Sequence, residues 1–213
     1  KIALKNKDII IDPFDEKYIQ PASIDLHLDK HFLVFEPTKN YVIDPKKPVD
    51  NMMKEVNIKD DEPFVLHPGE FALGLIYETT GVSDEFVGRL EGKSSIGRLG
   101  LLIHITAGFL DPGNSLKMTL ELHNTANLPI LLYYKMPIAQ MAFEKLSTKS
   151  LRPYSRKYGN KYVGDVKPIA SQMYKNFLKK WFYNHIPKYS KLWTSYQGIN
   201  SKIYFKYLQF VKY

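Results

Sequence analysis

The stretch EGKSSIGRLGLLIHITAGFLDPGNSLKMTLELHN, residues 91–124, contains the most informative pattern of this chain. Apolar residues at 118, 120 and 122 alternate with polar residues at 119, 121 and 123. Because successive side chains of a strand point to opposite faces, this alternation predicts a half-buried β-strand over Met118–Asn124. The corner Asp111-Pro112-Gly113, whose residue types favour turns, comes shortly before this strand.

Similar short runs recur on both sides of this stretch, separated by turn residues such as Pro68-Gly69 and Gly81. Many short strands at close spacing predict an all-β sandwich or barrel rather than alternating strands and helices. The predicted strands are Phe64–Leu66, Phe71–Tyr77, Phe86–Leu90, Leu101–Thr106, Met118–Asn124, Ile130–Tyr134 and Gln140–Leu146.

Two other segments have a distinct character. Ser94–Leu99 is predicted to be a short helix, with Ser94 or Ser95 as its cap and Gly100 at its end. Lys39–Asp61 is polar, rich in lysine and interrupted by proline, which predicts a surface excursion.

Composition limits the classes of protein to consider. A chain of 213 residues can form one domain of ordinary size. It has no cysteine, which excludes disulfides, thiolate zinc sites and cysteine nucleophiles, and fits a cytoplasmic location. No run of 18 apolar residues predicts a transmembrane helix, and the N-terminal residues lack the apolar core of a signal peptide.

The excess of basic residues that gives the net charge of +8 lies in the C-terminal part of the chain. Residues 175–213 contain eight lysines and no acidic residue, so residues 1–174 balance 22 basic against 22 acidic residues. Nucleic-acid binding by the whole protein is therefore not expected. We interpret 1–174 as the main domain, with an arm or lid over 152–174, and 175–213 as a basic aromatic tail. The aromatic residues of this tail either pack on the body or, less favoured, stack on single-stranded nucleic acid.

Glu121 is the first candidate for chemistry, since it is the carboxylate on the polar face of the predicted strand. On the strand pattern alone, a solvated surface glutamate is the simpler interpretation. The nearby Asp-Pro-Gly corner and Lys-Ser-Ser turn favour a second interpretation, in which Glu121 is catalytic. A partly desolvated carboxylate with a raised pKa can act first as a general base and then as an acid.

Lys93, Ser94 and Ser95 immediately precede or begin the predicted helix. A lysine, hydroxyl groups and the free N–H groups of a helix start can bind an anion, although two serines before a helix often act only as caps. Arg98 falls one helical turn later, where it can either face the same anion or remain an exposed surface residue.

The six histidines show no spacing typical of a zinc site, and the signature of zinc deaminases is absent. No P-loop or GxGxxG motif occurs either. If the protein removes an amino group, a carboxylate must activate water without zinc.

Several ordered motifs together resemble the dCTP deaminase family over about residues 5 to 177. They include QPASIDLHL at 20–28, HPGE at 67–70, the 91–124 stretch, MPIAQM at 136–141 and RPY at 152–154. The resemblance implies a dUTPase-like, β-clip fold with a distorted double-sheet body, few short helices and a trimeric assembly with sites between subunits.

The resemblance also implies roles for individual residues. Glu121 matches the general base, and Arg98 matches the arginine that positions the water and the carboxylate. Lys93, Ser94 and Ser95 match the phosphate-binding segment, with Ser94 also close to the reacting end. The remaining substrate contacts that it implies are Ile96, Gly97, Ala107, Asp111 (at the deoxyribose 3′-hydroxyl), Thr119, Leu120, Gln140, Tyr154, Lys161 and Asp165.

The activity implied first is hydrolytic deamination of dCTP to dUTP and ammonia, with Mg²⁺ bound through the triphosphate and with dUTP or dTTP as product or inhibitor. The alternative is a bifunctional enzyme that continues to dUMP and diphosphate, as Gly108-Phe109 after Thr106-Ala107 resembles the bifunctional members. A third possibility is a non-catalytic regulatory trimer, because Asn114–Lys117 and Asp165 depart from the family pattern and the 175–213 tail has no counterpart in it.

Overall fold

The computed structural model describes residues 1–36, 42–156 and 159–178. The chain divides into two units, Lys1–Leu178 and Lys179–Tyr213. A 3₁₀ helix, Met173–Phe177, spans the boundary predicted after residue 174. Of the predicted tail, only residues 175–178 are described, so the two interpretations of its role lie outside the described residues.

The described part is built almost entirely of short strands, as predicted. Its two α-helices have one turn each, α1 (Ile2–Lys5) and α2 (Ser94–Gly97), and further 3₁₀ helices cover Glu16–Tyr18, Asp50–Met52 and Tyr154–Arg156. The strands are β1 (Ile9–Asp12), β2 (Ile24–His27), β3 (His31–Phe35), β4 (Met53–Asn57), β5 (Phe64–Leu66), β6 (Phe71–Leu75), β7 (Thr79–Val82), β8 (Phe86–Gly92), β9 (Leu101–Leu102), β10 (Phe109–Leu110), β11 (Ser115–Leu116), β12 (Thr119–Asn124), β13 (Ile130–Leu132) and β14 (Pro137–Lys145).

The strands form four antiparallel sheets. The largest has the order β4-β3-β6-β12-β9, and the next has the order β10-β8-β14-β2. A three-stranded sheet, β1-β7-β11, and the pair β13-β5 complete the arrangement. The all-β class is therefore confirmed. No helix in the described ranges is long and apolar enough to cross a membrane.

Strand β12 shows how the sequence pattern builds the core. Leu120 and Leu122 are fully buried and Met118 nearly so, whereas Thr119 and Glu121 on the other face are only half-buried. The register pairs Glu121 with Leu73 of β6 on one side of the strand, while β9 on the other side pairs with His123 and Asn124 only. The predicted two-faced strand is confirmed.

Three local predictions were wrong. The strand predicted over Leu101–Thr106 ends at Leu102, because the N–H groups of Ile105 and Thr106 bind the Glu121 carboxylate instead of a neighbouring strand. The predicted surface excursion Lys39–Asp61 contains β4, whose charged residues suit its place at a sheet edge.

The third correction concerns the predicted helix Ser94–Leu99. It ends at Gly97, and its N-cap is Lys93 without a side-chain capping bond. Gly100 does mark the turn that follows. It adopts a φ of +87°, and a Cβ there would lie 2.9 Å from the Cβ of Ala126, so both the backbone angle and the close approach require glycine.

Candidate active site

A cavity of about 520 Å³ lies against the polar face of β12. Its walls come from β3, β4, β6 and β12, from the segment 104–118, and from the C-terminal arm. The lining residues are Phe35, Val49, Met53, Phe71, Leu73, His104, Ala107, Phe109, Asp111, Asn114, Leu116, Met118, Thr119, Glu121, Tyr154, Tyr162, Asp165, Ile169 and Ser171. This mixture of apolar walls and a few polar groups is typical of a small-molecule site.

Glu121 is fixed in this cavity by the loop that follows β9. Its Oε2 atom accepts hydrogen bonds from the backbone N–H of Ile105 at 3.1 Å and of Thr106 at 3.2 Å, and from the Thr106 hydroxyl at 3.5 Å. Within the described residues, the other carboxylate oxygen, Oε1, accepts no hydrogen bond. One oxygen is thus anchored, and the other is available to a water or ligand.

The corner Asp111-Pro112-Gly113 brings an exposed aspartate to the cavity and also receives the arm. The Asn114 N–H donates to the Asp111 carbonyl at 3.1 Å, which closes the turn. Gly113 has a φ of +76°, and a Cβ there would lie 2.6 Å from the Cβ of Pro153. Glycine is therefore needed both for the turn and for the contact with the arm.

The arm is ordered by its tyrosines. The Tyr154 hydroxyl accepts the N–H groups of Lys161 and Tyr162, each at 3.3 Å, and the Tyr162 hydroxyl accepts the N–H of Gln172 at 3.0 Å. Burial raises the pKa of the Tyr162 hydroxyl above its ordinary value. Burial likewise raises the pKa of the Asp165 carboxyl, against the opposing charge of Lys175.

Six of the predicted site residues meet in the cavity, from segments distant in sequence: Ala107, Asp111, Thr119, Glu121, Tyr154 and Asp165. Three of these are carboxylates, and among the described residues no lysine or arginine lines the cavity. A triphosphate carries about four negative charges. The cavity therefore needs cationic groups from elsewhere to bind such a ligand.

The predicted phosphate-binding residues form a second group that does not line this cavity. Lys93 pairs with the Asp25 carboxylate at 2.6 Å, and the Gln140 amide accepts from the Ser23 hydroxyl at 2.8 Å and donates to the Gly92 carbonyl at 3.1 Å. The other members of the group are Ser94, Ser95, Gly97 and Arg98, which are exposed, and Ile96, which is half-buried.

Two other predicted residues have no side chain in the cavity lining. The Leu120 side chain is completely buried in the core, so only its backbone can contact a ligand. Lys161 does not line the cavity, and its backbone N–H is held by Tyr154.

The aromatic wall formed by Phe35, Phe71 and Phe109 and the place of His104 in the cavity lining were not predicted from the sequence. The Nδ1 atom of His104 is buried and lacks a hydrogen-bond partner among the described residues. The alternation of His104 with apolar neighbours was visible in the sequence. Phe35 and Phe71, in contrast, come from separate strands that only the folded sheet brings together.

The described ranges contain no group of three or more histidine or acidic side chains arranged to hold a metal ion. The predicted Mg²⁺ would arrive with the triphosphate, as part of the substrate.

Comparison with known proteins identifies the family. The family model described as dCTP deaminase-like matches residues 1–146. A protein of Corynebacterium jeikeium strain K411, named dCTP deaminase, dUMP-forming, is 49% identical over 178 residues, which cover 83% of this chain and 95% of that relative. Equally named proteins of Mycobacterium sp. strain KMS and Mycobacterium tuberculosis strain H37Ra are 51% and 52% identical over 170 residues, covering 79% of this chain and 90% of each relative. The chain belongs to the dCTP deaminase-like family.

A solved structure supports the fold. The crystal structure of 2′-deoxycytidine 5′-triphosphate deaminase from Agrobacterium tumefaciens superposes with a TM-score of 0.53 at 18% identity, over 68% of this chain. The matched region spans 46% of that longer chain, and at 18% identity the comparison concerns the fold alone.

Proposed function

We propose that the protein hydrolyses dCTP, as its magnesium complex, to dUMP, ammonia and diphosphate. The observation that carries the proposal is the identity of about 50% to relatives named dCTP deaminase, dUMP-forming, over about four-fifths of the chain. These names favour the bifunctional alternative over release of dUTP, which the sequence analysis placed first and which is not confirmed.

The geometry of Glu121 supports a proton-transfer role. Its anchored oxygen fixes the side chain, and Oε1 can accept a proton from water as the hydroxide adds to C4 of cytosine and then pass that proton to N3. Glu121 next takes the proton of the new C4 hydroxyl and gives it to the amino nitrogen, which leaves as ammonia while the C4 carbonyl forms. One carboxylate can serve both steps because it alternates between its two protonation states.

The loop beside Glu121 supports the dUMP-forming reaction. A Cβ on Gly108 would lie 2.6 Å from the Leu90 carbonyl oxygen, so this loop conformation requires glycine. A larger residue would not fit at position 108, which is part of the Gly108-Phe109 pair in which this chain resembles the bifunctional members. The second step would break the α–β phosphoanhydride with a further water and release diphosphate.

The separation of the two residue groups supports a homotrimer with composite sites. One chain supplies Glu121, Asp111 and the arm, but Lys93 and Arg98 lie outside its cavity. A second copy can bring them to the triphosphate, which would provide the missing positive charge. A cytoplasmic location remains a prediction from the lack of cysteine.

Product analysis tests the proposal. The protein is incubated with dCTP and Mg²⁺, and ammonia, dUTP, dUMP and diphosphate are quantified over time. We expect ammonia, dUMP and diphosphate in equal amounts without accumulation of dUTP. Accumulated dUTP would support the monofunctional reaction instead, and binding of dCTP without ammonia release would support the non-catalytic trimer.

A further inference from the structure

The C-terminal arm runs alongside the segment that follows the Asp-Pro-Gly corner. The arm and residues 112–117 run parallel to each other. Arm residues further along the chain therefore hydrogen-bond to residues further along the segment. Among the described residues, hydrogen bonds join Tyr154 N–H to the Pro112 carbonyl (2.7 Å) and the Asn114 side-chain amide to the Tyr162 carbonyl (3.4 Å). Further along, Gly164 N–H donates to the Ser115 carbonyl (3.1 Å) and Lys117 N–H to the Asp165 carbonyl (2.8 Å).

Lys117 is the member of this segment whose side chain joins it to the body by an ion pair. Its ammonium group lies 2.7 Å from Oδ2 of Asp29 and 5.3 Å from the centre of the Tyr77 ring. Lys117 therefore binds the arm through its backbone and the β2–β3 turn through its side chain.

The partner of Lys117 is firmly fixed. Asp29 is 4% exposed, and its Oδ1 accepts the Lys30 N–H at 2.6 Å and contacts the His31 ring nitrogen Nδ1 at 3.2 Å. The Asp29 N–H donates to the Leu75 carbonyl of β6 at 2.8 Å. A buried carboxylate needs a countercharge, and Lys117 supplies it. The ion pair between Lys117 and Asp29 is thus largely shielded from solvent and attaches the segment to the body.

We propose that Lys117 is a positioning residue that holds the C-terminal arm against the cavity and thereby sets the affinity for the nucleotide. Tyr154, Tyr162 and Asp165 of the arm line the cavity, as does Met118, the neighbour of Lys117. Displacement of Lys117 would weaken the attachment of the arm to one wall of the site, at the hydrogen bond from the Lys117 N–H to the Asp165 carbonyl. The part of the inference that concerns nucleotide affinity rests on the proposed function.

Amide hydrogen exchange tests the attachment without any need for activity. In Lys117→Met, which keeps the length of the side chain but loses its charge, we expect the Gly164 amide to exchange about ten-fold faster, because its acceptor segment then keeps only the backbone pairing with β7 as its attachment to the body. Lys117→Arg, which can still pair with Asp29, should exchange like the wild type. Lys117→Gln provides a second uncharged variant if the methionine variant fails to fold.

Lys30→Met is the matched control. Lys30 is the neighbour of Asp29 in the chain and pairs with Asp60 at 3.1 Å instead of contacting the arm. Its loss should leave Gly164 exchange unchanged. Equal acceleration in both variants would show general loosening of the β2–β3 turn and would overturn the proposal.

Steady-state kinetics tests the effect on the nucleotide. We expect Lys117→Met to raise KM for dCTP by about five-fold or more with kcat within about two-fold, since the arm binds substrate but performs no chemistry. Lys117→Arg should restore KM. Faster exchange with an unchanged KM would overturn the link to affinity, and unchanged exchange would overturn the attachment itself. A wild type that does not turn over dCTP contradicts the proposed function, while the exchange result still decides the role of Lys117 in holding the arm.

Discussion

Thr106 donates both its backbone N–H and its hydroxyl to the same oxygen of Glu121, at 3.2 and 3.5 Å. The loop after β9 therefore orients the proposed general base. Since the loop gives up strand pairing to make these bonds, the position of the carboxylate depends on the backbone path of residues 103–108.

Glu121→Gln is expected to lower the rate of ammonia release by at least about a thousand-fold, because an amide can neither accept the proton of water nor return it. Binding of dCTP, measured by calorimetry, should stay within about ten-fold of the wild type. The control is Glu70→Gln, which alters a carboxylate that holds the His67 N–H outside the cavity. Near-native turnover of Glu121→Gln would show that another group is the base.

Mixed oligomers test whether the site is shared between chains. Glu121→Gln and Arg98→Ala should each be nearly inactive alone. Co-refolding of equal amounts should restore up to about one quarter of the wild-type activity, since that fraction of composite sites receives an intact residue from each copy. Absence of any recovery in oligomers that do mix would mean that each site is formed by one chain.

Gly108→Ala is expected to destabilise the fold by about 1–3 kcal/mol, since the new Cβ would lie 2.6 Å from the Leu90 carbonyl oxygen. The loop must then move, which also displaces the donors to Glu121, so kcat should fall. Gly92→Ala is the control, because the nearest atom to its Cβ is 3.6 Å away. Thermal unfolding and turnover of both variants check the prediction, and an unaffected Gly108→Ala variant would refute it.

The lowered pKa of Asp29 makes the free energy of unfolding depend on pH. Burial alone would raise its pKa, but the hydrogen bonds from Lys117 and the Lys30 N–H, together with the charge of Lys117, hold the pKa below the ordinary value of 3.8. Since the folded-state pKa is the lower one, the stabilisation is complete above pH 3.8 and is lost as the pH falls through the lowered pKa. The difference in Tm between wild type and Asp29→Asn should therefore be constant from about pH 5 to 8 and shrink below pH 3.8. A difference that grows on acidification would contradict this sign.

Asp165→Asn is expected to lower KM for dCTP by about two- to five-fold, because it removes a carboxylate that faces the same cavity as Glu121. The raised pKa of Asp165 means that its ionisation opposes folding as the pH rises above 3.8. The asparagine variant should consequently gain stability relative to the wild type at neutral pH and lose that gain in acid. A higher KM would show that the Asp165 carboxylate contributes to binding, as it would if it contacted the Mg²⁺.

The sequence alone determined the alternation of β12 and hence which face carries Glu121. A strand has a period of two residues, so burial of Leu120 and Leu122 fixes the direction of the residue between them. The turns at Asp111-Pro112-Gly113 and at Gly100 were also visible, since these residue types favour particular backbone angles. Such features depend on neighbours within a few positions.

Only the tertiary structure decided which residues share the cavity and which do not. Glu121 meets the arm and the aromatic wall through sheet pairing and the contacts of residues 112–117, while Lys93 lies apart from it beside Asp25. The tertiary structure also ended the predicted strand at Leu102, because a carboxylate 16 residues away from Ile105 bound the loop's N–H groups. Hydrogen bonds and packing between distant segments are set by the balance of the whole fold, and no local pattern of residues contains that information.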